Sequence, residues 1–220
     1  MSRIVISTIG SLGDLHPKIA IALELRKRGH NVIFATHKEY QEKIKALGFE
    51  FYRMRPDNKA LNDPEEMARM MDLKTGTEYV IKNWVCANLR ETYNDLVNCA
   101  ENADCIIAGE GVIAARIVAE QLNIPWASVI LQPLAFLSTY DASVLPVFPF
   151  LTQYNAARVK RLKTSRTIFR KHYKYREVAK QLHELLENST YAVKAKEISR
   201  IIHAENGAVT ACDAIEKHLL

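Results

Sequence analysis

Apolar and polar positions along the first two thirds of the chain alternate in blocks whose periods switch between two and about 3.6. A β-branched run, Ile4-Val5-Ile6-Ser7-Thr8, is followed by apolar positions at helical spacing, Ile19, Ala20, Ala22 and Leu23, and Gly29-His30 closes that helix. Residues 31–36 read as a second strand, 39–47 as a helix stopped at Gly48, and 49–54 as a third strand cut off by Pro56. Asp63-Pro64-Glu65-Glu66 opens a short helix with its acids where the helix dipole favours them. From 75 to 102 the apolar positions Val80, Ile81, Trp84, Val85, Leu89, Tyr93, Leu96 and Val97 predict one long helix with one buried face. Residues 104–108 form a fourth strand, Gly109-Glu110-Gly111 a tight turn, 113–122 a helix and 125–130 a fifth strand.

Strands alternating with helices over short connections imply a parallel sheet covered on both faces and wound by right-handed crossovers. The expectation is an α/β, Rossmann-like domain over residues 1–150. Beyond Pro149 the alternation stops and the pattern is helical: 153–170, then 175–187 with Val178, Leu182, Leu185 and Leu186 on one face, then a helix to His203 capped by Ser189 or Thr190, and a last one after Gly207. Such helices cannot bury their apolar stripes alone, so the segment 151–220 is expected to pack back on the sheet domain.

Composition adds bounds. With 220 residues, 48% hydrophobic and 25% charged, the chain is an ordinary globular one. Its net charge of +5 is unevenly placed, since residues 151–180 hold ten Lys or Arg against the single acid Glu177, which is +9 there and −4 elsewhere. That segment reads first as a solvated face; its second reading is contact with an anionic membrane surface or an acidic partner through Arg158, Lys160, Arg161, Arg166, Arg170 and Lys171. It carries no nucleic-acid reading motif, so no nucleic-acid partner is expected. Cys86, Cys99, Cys105 and Cys212 have no paired short spacing and read as small buried hydrophobes without disulfides or metal. The N-terminus enters the first strand without a basic leader, and the most apolar region, 131–151, carries Asp141 and three prolines. The expected location is cytoplasmic.

Candidate chemistry gathers in Gly10-Ser11-Leu12-Gly13-Asp14-Leu15-His16-Pro17, between the first strand and the first helix. Open α/β sheets bind ligands beyond the carboxyl ends of their strands, which makes Asp14 and His16 the first suspects. A dinucleotide cofactor would require Gly-x-Gly-x-x-Gly here and an acid closing the second strand; the chain has Gly10-x-x-Gly13 and Thr36-His37. On spacing alone, Asp14 reads equally well as a helix cap, with Pro17 in the first turn and His16 as decoration.

The order and spacing of three segments are more specific: Gly10-Ser11-Leu12-Gly13-Asp14-Leu15-His16-Pro17, Arg28-Gly29-His30-Asn31-Val32, and Ala119-Glu120-Gln121-Leu122-Asn123-Ile124-Pro125-Trp126. Together they resemble the N-terminal, acceptor-binding domain of two-domain GT-B glycosyltransferases, in the bacterial, sterol and antibiotic-aglycone branch. The resemblance implies sugar transfer from a UDP-sugar to a hydroxyl of a small hydrophobic or lipid acceptor. It makes Asp14, rather than His16, the base that deprotonates the acceptor, with Glu110 as a helper one position away from the family's acid. It also implies an acceptor lining of Ser11 and Leu12 with Gln132, Phe136, Tyr140 and Phe148.

The family's donor domain, with a His-Gly-Gly-rich diphosphate motif and an acid-Gln pair, has no counterpart here. Segments Asn188-Ser189-Thr190-Tyr191, Ala204-Glu205-Asn206-Gly207 and Cys212-Asp213-Ala214-Ile215-Glu216 instead resemble the family's closing helices. The chain thus reads as an acceptor half joined near residues 165–175 to those helices, inactive alone, with no cofactor of its own and the nucleotide-sugar expected only with a donor domain of about 100–200 residues. The competing reading is a non-catalytic module that binds a ligand or membrane lipid, with a basic helix over residues 158–180.

Overall fold

The five strands of the computed structural model are β1 (Arg3–Thr8), β2 (Asn31–Thr36), β3 (Glu50–Arg53), β4 (Cys105–Gly109) and β5 (Trp126–Val129). The structure describes residues 1–57, 63–72, 74–131 and 174–220. All neighbouring strands are parallel, in the order β3-β2-β1-β4-β5. The chain winds outward from β1 through β2 to β3, then returns to lay β4 along the other side of β1. That reversal puts a topological switch point between the carboxyl ends of β1 and β4.

Burial on both faces explains why the central strands read as near-continuous apolar runs. Alternate residues serve opposite faces, as the two-residue period requires. Ile4, Ile6, Val32, Phe34, Cys105 and Ile107 join one core, which is covered by α1 (Leu12–Lys27) and α2 (Gln41–Ala46) through Leu15, Ile19, Ala22, Leu25 and Ile44. Val5, Ile33, Ala35, Ile106 and Ala108 join the other. That second core is completed by Leu96 and Cys99 of α5 (Leu89–Ala100) and by Ala115 and Val118 of α6 (Ala114–Leu122).

Two short helices precede α5: α3 (Pro64–Met70), capped by the Asp63 carboxylate, and α4 (Gly76–Tyr79). The long helix expected over 75–102 is interrupted. After α4 the chain widens into a π-helical stretch, Val80–Cys86, and turns at 87–88 before α5 begins. The cause is local. Asn88 Nδ2 donates to the Trp84 carbonyl at 2.7 Å, Ala87 N–H reaches back five residues to Lys82, and the one Thr92 hydroxyl proton is shared between the Asn88 and Arg55 carbonyls, each 2.9 Å from Oγ1. At Trp84 a side-chain donor has taken the place of a ladder bond, whereas Thr92 N–H keeps its regular bond to the Asn88 carbonyl at 3.0 Å.

The described residues fall into two units. One holds everything up to Leu131 together with the last helix, α9 (Gly207–Leu219); the other holds α7 (Tyr175–Glu187) and α8 (Ser189–Glu205). Helix α9 packs on α1, with Cys212 and Ile215 in the first core. At the rim, Arg28 bridges to Asp213 and Glu216 at 2.7 Å each and to Glu24 at 3.0 Å, and His30 Nε2 meets Glu216 at 3.0 Å. His30 and Arg28 hold the Glu216 carboxyl below its ordinary range. In the second unit the α8 cap is Asn188, whose Oδ1 accepts from Thr190 N–H at 3.1 Å, rather than Ser189 or Thr190. The cysteines are free thiols; Cys99, Cys105 and Cys212 are buried as expected, but Cys86 is exposed. Among the described residues no helix is long and apolar enough to cross a membrane.

Candidate functional site

Strand β1 ends at Thr8, and the chain turns into α1 over three residues. Gly10 makes the turn with φ +118°, a left-handed value that favours glycine. Ser11 caps α1: its Oγ accepts from Gly13 N–H at 3.2 Å, while Asp14 Oδ2 accepts from Ser11 N–H at 2.8 Å and from Ser11 Oγ–H at 3.1 Å. This is a capping box with aspartate in the acidic position. The cap is thus Ser11 and not Asp14, which is the third residue of α1, half-buried in the first turn where the helix dipole favours an anion. Capping uses only one carboxylate oxygen; among the described residues Oδ1 takes no hydrogen bond. A group seated by one oxygen and open at the other is equipped to accept a proton from a ligand hydroxyl.

Beneath Asp14 lies Lys18, which is not among the residues the sequence singles out. Lys18 is 1% exposed, and its Nζ donates to the Asp14 carbonyl at 3.1 Å. Its head fills space that Gly109, at the end of β4, leaves open: a Cβ on Gly109 would lie 3.0 Å from Lys18 Nζ and 3.4 Å from Thr8 Oγ1. Burial drives the Lys18 amine below its ordinary value, and the charges of Asp14 and Glu110 oppose that shift. Lys18 thus lies within electrostatic reach of both carboxylates and links the start of α1 to the end of β4. The two loops also touch directly, since a Cβ on Gly111 would stand 3.2 Å from Ile9 Cγ1.

A second group gathers at the end of β2. His37, at the end of β2, is fully buried and accepts at Nε2 from Gly10 N–H at 3.1 Å, while Nδ1 faces the Pro56 carbonyl at 2.6 Å. Tyr40 OH donates to the Gly10 carbonyl at 2.8 Å. Trp84, from the π-helical stretch, stacks obliquely on His37 with ring centroids 5.4 Å apart. Burial lowers the His37 pKa below its ordinary value and raises that of Tyr40.

The residues proposed from sequence divide into three sets. Ser11, Leu12, Asp14 and Glu110 stand at the switch point, with Leu12 46% exposed at the first position of α1. His16, two residues after Asp14 on α1, is exposed to solvent, without a hydrogen bond among the described residues. Gln132, Phe136, Tyr140 and Phe148, and the basic set Arg158, Lys160, Arg161, Arg166, Arg170 and Lys171, lie outside the described residues. Exposed Ile113, just ahead of α6, adds a second apolar side chain at the rim. Lys18 had left a trace: it sits three residues after Leu15 and four before Ala22, on the buried stripe of α1. No group of three or more potential metal ligands occurs among the described residues.

Residues 4–135 match the family model described as the glycosyltransferase family 28 N-terminal domain. The chain is 30% identical over 150 residues to a sterol 3-beta-glucosyltransferase of Gibberella zeae, covering 66% of this chain and 10% of the relative. It is 32% identical over 153 residues to UDP-sugar-dependent glycosyltransferase 52 of Dictyostelium discoideum, covering 66% and 8%. The chain spans about a tenth of the length of such relatives. A solved structure, the calicheamicin glycosyltransferase CalG4, superposes with a TM-score of 0.52 at 16% identity, covering 70% of this chain and 37% of that one.

Proposed function

We propose a function from one premise: the chain belongs to the glycosyltransferase family 28 N-terminal domains, and its sheet is the N-terminal half of a GT-B fold. In this reading it is the acceptor-binding half of a nucleotide-sugar-dependent glycosyltransferase, and the acceptor is a hydroxyl-bearing lipid of sterol type. The single observation that carries the reading is Asp14, seated by Ser11 through Oδ2 and open at Oδ1, at the switch point of the sheet.

The chemistry follows from those positions. An acceptor hydroxyl donates to Asp14 Oδ1, and as its oxygen attacks the anomeric carbon of the donor sugar the proton passes to the carboxylate. The nucleoside diphosphate leaves with the electron pair of the broken glycosidic bond, inverting the anomeric centre. Lys18 brings positive charge beneath the carboxylate, and Glu110, one residue past β4, acts electrostatically on the same lysine. Leu12 and Ile113 offer apolar surface at the entrance. His16, two residues on and solvent-facing, takes no part in this geometry.

The reading is supported by relatives whose names specify a sterol acceptor and a UDP-sugar donor. It is tested by binding. The chain is expected to bind a 3β-hydroxysterol about tenfold or more tightly than the 3-deoxy analogue, because a hydrogen bond to a carboxylate contributes about 1.5–3 kcal/mol. Incubated with UDP-glucose and the same sterol, it is expected to transfer no sugar. Equal affinity for the two sterols removes the acceptor reading, and robust turnover removes the reading of an incomplete enzyme.

A further inference from the structure

The peptide of Gly10 is in contact with the carboxylate that the loop presents: a Cβ at Gly10 would fall 2.5 Å from Asp14 Oδ2 and 2.9 Å from its Cγ. Any shift of this peptide therefore moves the seat of Asp14. Two side chains from outside the loop grip it. His37 Nε2 takes the Gly10 N–H at 3.1 Å, and Tyr40 OH donates to the Gly10 carbonyl at 2.8 Å.

The protonation state of His37 is fixed by its partners. The Pro56 carbonyl only accepts, so at 2.6 Å from Nδ1 it demands a proton there. The Gly10 N–H only donates, so Nε2 is bare. This neutral tautomer is the one ring form that satisfies both bonds. A second proton, on Nε2, would point an N–H at an N–H, and the Gly10 bond would be lost.

We propose that His37, assisted by Tyr40, is a positioning residue for Asp14: neutral, it locks the Gly10 turn against the capping box, and on taking a proton at Nε2 it releases that turn. The functional consequence rests on the reading of Asp14 as the acceptor's base; the geometric claim does not.

The surroundings set where the switch falls. The Pro56 carbonyl, Glu39 beside the ring in sequence and Asp57 after β3 favour protonation, Tyr40 stands at 6.2 Å between ring centroids, and Trp84 brings no titratable group. Burial opposes them and is the larger influence, so release comes below the ordinary histidine value of about 6.5.

The test uses the full chain, isotopically labelled, with nuclear magnetic resonance followed from pH 7.5 to 4.5. Expected are a neutral Nδ1–H His37 at pH 7.5 and, as the ring gains a proton, a drop of at least about tenfold in the Gly10 amide protection factor. The Ser11 and Asp14 amide signals move with it, while the β1 and β4 amides keep their protection. Glutamine can accept from Gly10 and donate to Pro56 but does not titrate, so His37→Gln is expected to hold Gly10 protection throughout; Tyr40→Phe lowers it at every pH.

A Gly10 amide indifferent to ring protonation overturns the proposal. So does loss of its protection in His37→Gln at the same pH as in the natural chain, or simultaneous loss from the whole sheet, which would make the ring a reporter of unfolding only. A turn that follows His37 in a chain with no preference for hydroxysterols would leave the positioning role standing and remove only the base.

Discussion

At the scale of single residues, Lys18 shows what a site can ask of a fold. Its amine is closed off from water and holds one carbonyl, at 3.1 Å, so its charge is only partly compensated. Replacing it by methionine, of similar length and no charge, is expected to raise stability at pH 7 by about 1 kcal/mol in urea unfolding. The pH dependence has a definite sign. Because the folded amine has a lowered pKa, the unfolded chain binds more protons between that value and about 10.5, so stability rises with pH across the interval and levels off above it. Lys18→Met is expected to abolish that rise; a variant that is less stable and retains it contradicts the account.

The residues also show what a linear pattern conveys. Ser11 and Asp14 were legible because they lie between a strand run and a helical run, where open α/β sheets bind ligands, but that Ser11 rather than Asp14 caps the helix was not. Lys18 was legible in principle, as a charge on an apolar stripe, but the space its head fills is left open by Gly109 at the end of β4, some ninety residues away. His37 was hidden more deeply, since its meaning depends on Gly10 and Pro56, which only the parallel pairing of β1 with β2 and the path after β3 bring to it.

Among elements, the last helix is the informative one. Helix α9 follows the two helices of the other unit yet fills the first core with Cys212 and Ile215, and Arg28 and His30, just after α1, hold its acids at the rim. Ile215, 6% exposed, is expected to cost about 2–4 kcal/mol when cut to alanine, as a buried isoleucine does, read from urea unfolding of the sheet unit. A loss below about 0.5 kcal/mol would mean that α9 is not part of that core. Strands were the easiest elements to read, because burial on both faces leaves runs such as Ile4-Val5-Ile6. The stretch 75–102 was harder: its apolar spacing is helical throughout, and at the break the Asn88 side chain takes the Trp84 carbonyl while Ala87 N–H reaches back to Lys82.

At the scale of the whole molecule, alternating strands and helices specify the parallel sheet, and the return of the chain to β4 creates the switch point where Asp14, Lys18 and Glu110 meet. The sheet order was not in the pattern, because periodicity says which faces are buried and not which strand lies beside which. In the proposed function this point receives an acceptor hydroxyl on Asp14. The most direct test of this is the sterol preference of Asp14→Asn, a change that keeps an oxygen to cap Ser11 N–H and removes the negative charge. The account predicts a folded protein whose preference for the 3β-hydroxysterol over the 3-deoxy analogue falls by about tenfold; an unchanged preference in the folded variant would contradict it.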